Sequence, residues 1–85
     1  MVLRITYWME NKNETAETCV DLRVSEKYRE MLVNNFGDEE IPVENLSEYP
    51  EFKLYLKEIL EGMAKIQGYK LVGIATIVMP EEKEY

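Results

Sequence analysis

Eighty-five residues make a single domain, and a chain this short buries only roughly 60% of its extended surface, so its core is modest and a second subunit could usefully extend it. Hydrophobic residues at 46%, set in regular patterns beside 32% charged residues, argue against a disordered chain. Seventeen acids against ten bases give a net charge of -7, which repels phosphate backbones at long range and makes direct binding of nucleic acid or of an anionic membrane a poor expectation.

The first nine residues alternate. Leu3, Ile5, Tyr7 and Met9 share one side, and Val2, Arg4, Thr6 and Trp8 the other, the pattern of a half-buried strand. Residues 10–14 read ENKNE, a polar turn. A second alternating run then sets Ala16, Thr18, Val20, Leu22 and Val24 against Glu17, Cys19, Asp21 and Arg23, so the two runs predict an antiparallel hairpin. Ser25 can cap a helix from about Glu26 to Phe36, whose Tyr28, Met31, Leu32 and Phe36 recur at helical spacing, and Gly37 suits its end.

Residues 38–49 follow neither period. Here the chain turns acidic: Asp38, Glu39, Glu40, Glu44, Glu48 and then Glu51 occur with no basic side chain among them. Ile41-Pro42-Val43 interrupts the run, and Pro42 disfavours helix before it and offers no ladder donor. A second helix starts between Ser47 and Pro50, with Phe52, Tyr55, Leu56, Ile59, Leu60, Met63 and Ile66 as its apolar stripe. Gly62 costs helix propensity and is expected to permit a close approach, Glu61 and Lys65 are ordered for an ion pair, and Gly68 ends the helix. Tyr69 to Met79 is the most β-prone run, apolar on both alternating sides, as in a strand covered on both faces or placed at a dimer interface. The fold class expected is therefore a two-layer α+β domain over residues 1–80. Its order is ββααβ, with a three-stranded, mainly antiparallel sheet and two helices packed on it, followed by a flexible acidic tail at 81–85.

Chemistry is sparsely signalled. The chain has no histidine, which removes the usual base near neutral pH and the commonest metal ligand. One cysteine, Cys19, supports neither an internal disulfide nor a dithiol site. No phosphate-binding glycine loop occurs, and the acidic run lacks the alternation and central glycine of a calcium loop. No catalytic, metal or cofactor residues are assigned, and no cofactor is expected. The chain opens with no secretory pattern and holds no apolar run near the ~20 residues of a membrane span, so a cytoplasmic location is expected.

The function expected is a small acidic, non-enzymatic protein-interaction module. Asp38, Glu39, Glu40, Ile41, Val43, Glu44 and Glu48 are the partner-binding candidates, with carboxylates for steering and apolar anchors for affinity. The partner expected is a protein, basic in character or a second copy of the chain. Two alternatives stand beside it: a nucleic-acid mimic that inhibits a basic protein, and a small homo-oligomeric enzyme with a carboxylate-lined cleft.

Overall fold

The computed structural model describes residues 1–36 and 40–79. The hairpin forms first: β1 (Val2–Glu10) pairs antiparallel with β2 (Thr15–Arg23) in unbroken register from Val2 opposite Arg23 to Glu10 opposite Thr15. The Asn11 side chain closes the turn, its Oδ1 accepting from the amides of Asn13 at 2.8 Å and Glu14 at 2.9 Å, so a local polar contact substitutes for a two-residue tight turn. Ser25 then caps a short 3₁₀ turn, Glu26–Tyr28, its hydroxyl accepting from the Lys27 amide, and α1 (Arg29–Phe36) continues from it.

The expectation of three strands and a ββααβ order is wrong. Among the described residues there are four strands. β3 (Glu40–Ile41) lies between the helices, followed by a 3₁₀ helix at Val43–Glu48, then α2 (Pro50–Ile66) and β4 (Lys70–Val78). The sheet order is β2-β1-β4-β3, antiparallel at every pairing. A strand of two residues has too short a pattern to announce itself, and Pro42, which has no amide proton to donate, ends it at once. The helical start resolves in favour of Pro50 at the first position. Ser47 sits inside the 3₁₀ helix instead, its hydroxyl donating to the Glu44 carbonyl.

One sheet face carries the core. Val20, Ile5, Ile77 and Ile41 form a row across all four strands, and the last three are fully buried. Phe52, Leu56, Leu60 and Ala64 of α2 meet this face from above, with Tyr28 and Leu32 beside them. The Tyr28 ring lies 4.9 Å from Phe52 and 5.0 Å from Tyr55, which ties the first helical segment to α2. β4 follows no simple alternation because it carries an extra residue relative to β1 at Ala75 and another at Val72. Each bulge shifts the phase, so Leu71, Ile74 and Ile77 all reach the core side opposite Met9, Tyr7 and Ile5. The helices therefore cover one face, and Arg4, Trp8, Glu10, Glu17, Cys19, Asp21 and Val72 are exposed.

Gly68 ends α2 with φ +84°, a left-handed conformation in which a side chain would be strained. Gly62 permits no close approach: nothing lies within 4 Å of where its Cβ would stand. The ion pair on that helix face is Lys57–Glu61 at 3.8 Å rather than Glu61–Lys65. Gly62→Ala is expected to stabilise the domain by about 1 kcal/mol, read from urea unfolding, because only helix propensity changes. Leu56→Ala, at a fully buried position, is expected to cost about 2–5 kcal/mol, whereas Leu54→Ala at a half-exposed neighbour stays within about 0.5 kcal/mol.

Candidate functional site

The acidic run resolves into residues with separate tasks. Asp38 and Glu39 lie outside the described residues. Glu40 is exposed on β3 opposite Val78, on the helix-free face. Ile41 belongs to the buried row and is 0% exposed, so it anchors β3 to this chain's own core rather than presenting itself to a partner. Val43 is half-buried, and Glu44 and Glu48 are exposed on the 3₁₀ helix. Glu51 finds the base that its sequence neighbourhood lacks: Lys27 Nζ donates to its Oε1 at 2.9 Å. The fold brings Glu40, Pro42, Val43 and Glu44 together around a shallow concavity of about 300 Å³ that reaches Ala75 of β4, and Glu48 is not part of it.

A larger groove adjoins this concavity through Val43. It holds about 430 Å³ between α2, the 3₁₀ helix and β4. Val43, Leu46, Leu71 and Ile74 supply its apolar surface, while Lys53, Lys57 and Lys70 supply a basic rim beside Glu61. Lys57 meets Glu61, but Lys53 and Lys70 have no ion-pair partner among the described residues. In a chain of net charge -7 this is a local reversal of sign.

The groove exists because of the sheet's edge. β4 pairs along its length with β1 on one side, yet on the other it meets β3 only at Ile77 and Val78. From Lys70 to Thr76 its outer edge has no strand partner among the described residues. Unpaired backbone amides and carbonyls at such an edge are a template for another strand. The opposite edge, β2, is guarded differently: Glu17, Asp21 and Arg23 alternate along its exposed side, and Arg4 Nε of β1 donates to Asp21 Oδ1 at 2.8 Å. At the β4 edge Val72 is instead 55% exposed.

Sequence reasoning named Glu40, Val43 and Glu44 as partner-binding candidates of an acidic segment, without relation to β4, and did not bring Leu46, Lys53, Lys57, Leu71 and Ile74 together as parts of one surface. A usable signal existed: Lys53 and Lys57 stand four apart on one helix face in an otherwise acidic chain. Their meeting with β4 depended on strand order, which no spacing reveals.

No buried polar or charged side chain occurs among the described residues. No group of three or more His, Cys, Asp or Glu side chains that could hold a metal occurs among them either. No helix among them is long and apolar enough to cross a membrane. Comparisons with protein-family models, with curated proteins and with solved structures give no significant match.

The titratable groups that shift do so at surface pairs. The hydrogen bond from Lys27, and then its charge, holds the Glu51 carboxyl below the usual glutamate range. The hydrogen bond from Arg4 does the same for Asp21, and that from the N-terminal amine does so for Glu26. A carboxylate whose folded value is depressed stabilises the fold above its unfolded value, and that contribution disappears as pH falls through the folded value. Urea midpoints are therefore expected to fall as pH drops below the ordinary carboxylate range. Glu51→Gln and Asp21→Asn should each flatten that dependence, and a slope unchanged in the double variant would show that other groups govern acid unfolding.

Proposed function

We propose that this chain is a small, non-enzymatic protein-interaction module that adds a partner's extended segment to the free edge of β4. The observation that carries this reading is the coincidence of an unpaired strand edge, from Lys70 to Thr76, with an apolar groove directly beside it. Strand addition draws affinity from main-chain hydrogen bonds and specificity from pockets that take alternate side chains. Here the alternate side chains would enter between Leu46, Leu71 and Ile74, and carboxylates beside the incoming strand would meet Lys53, Lys57 and Lys70. Glu40, Glu44 and Glu48 have a second role in this reading: they steer the approach and exclude segments with acidic groups at that end.

The test uses a synthetic nine-residue peptide alternating valine with glutamate and serine, titrated into dilute protein. Amide hydrogen exchange is followed residue by residue. Protection is expected to rise at residues 70–76 and to remain unchanged along β2. Lys57→Glu should weaken binding about two- to fivefold, the scale of one exposed ion pair. Protection confined to other elements, or none at all, would reject the β4 edge as the docking site.

A further inference from the structure

Resting on the strand-addition reading, we infer that the segment received by β4 is β4 of a second copy, paired antiparallel across a two-fold axis near Gly73. A two-fold interface must be complementary to itself, so each patch must meet its counterpart's opposite. The edge of β4 has this property. Lys70 marks its beginning, with Glu61 beside it already engaged by Lys57 and with Lys53 further along the groove, and Glu40 and Glu44 gather at its far end near Ala75 and Val78. Reversing one copy against the other brings the lysines of each to the carboxylates of its mate, twice over. A parallel arrangement would set like charge on like.

The side-chain pattern agrees. Gly73 lies at the midpoint of the free stretch, where the two-fold axis would fall. Val72, left 55% exposed in one chain, would lose its water to the symmetry mate. Leu71 and Ile74 line the groove on the core side, so the cores of the two copies would meet across the new ladder. The sheet then continues from one copy into the other. Two-fold pairing also consumes the edge in a closed assembly, where an open edge would otherwise invite unlimited pairing.

Sedimentation equilibrium over a range of concentrations tests this, with circular dichroism confirming that each variant is folded. The native chain should form a dimer that weakens as salt rises. Lys70→Glu and Glu44→Lys, both at exposed positions, should each weaken self-association about tenfold, since each places like charges together at both symmetric contacts. The decisive step mixes the two single variants. In the mixed pair one contact joins the new glutamate to the new lysine and the other keeps the native Glu44 and Lys70, so heterodimers should form with close to native affinity. A dimer insensitive to both substitutions would place the interface elsewhere and overturn the inference. A native chain that stays monomeric while its β4 edge still takes up the synthetic peptide would overturn the second copy as occupant yet leave the strand-addition reading intact. A chain that does neither would end both.

Discussion

The row of Val20, Ile5, Ile77 and Ile41 across four strands is the contact on which the rest of the structure depends. Its side chains are β-branched, which suits a pleated and covered surface, and the three on β1, β4 and β3 are completely removed from water. α2 can bury Phe52, Leu56 and Leu60 only because this row gives it a flat apolar floor. Ile41 is the most economical member. With one buried side chain and one ladder partner it converts an irregular segment into a strand and fixes where the 3₁₀ helix and its carboxylates emerge. Pro42, which follows it, ends the strand there and leaves the β4 edge from Lys70 to Thr76 without a strand partner among the described residues.

The groove is thus a product of a truncation. Had β3 extended beside β4, backbone pairing would have occupied the edge from Lys70 onward. Instead the chain lifts off after Ile41, runs through Val43 and Leu46, and walls a trough along β4. The bulges at Val72 and Ala75 contribute as well. The bulge at Ala75 turns Ile74 to the core side and that at Val72 restores Leu71 to it, so both line the trough, and Val72 is left exposed near its rim.

The parts of this fold legible in the sequence were those with long, unbroken periodicity. The hairpin and both helices follow from alternation or from helical spacing and the last strand from its β-branched content, and Gly68 marks the end of α2 for a steric reason that needs no tertiary information, whereas the start of α2 stayed open between Ser47 and Pro50. β3 was illegible because two residues carry no period. The facing of β4 was illegible because alternation presumes an unbulged ladder: counted by twos, Ile74 falls on the side opposite Ile77, whereas the inserted Ala75 brings both to the core. The acidic run was visible as composition, but its division was not. Ile41 read equally as an anchor tucked beneath the segment or as an apolar contact for a partner until its ladder partner was known, and Glu51 looked unpaired because Lys27 is distant in sequence.

β1 occupies an interior position, with β2 on one side and β4 on the other, and these two pairings form on very different scales of chain length. The hairpin closes locally, since Glu10 and Thr15 are separated only by the Asn11 turn. The ladder from Arg4 opposite Val78 to Glu10 opposite Lys70 joins the two ends of the described chain. During synthesis the outer edge of β1 must therefore wait, unpaired, until Lys70–Val78 has been made. Non-local pairing of this kind slows folding and prolongs exposure of unpaired strands. The charges along β2 guard one flank of the waiting hairpin, while the bare flank of β1 stays exposed until the final strand arrives.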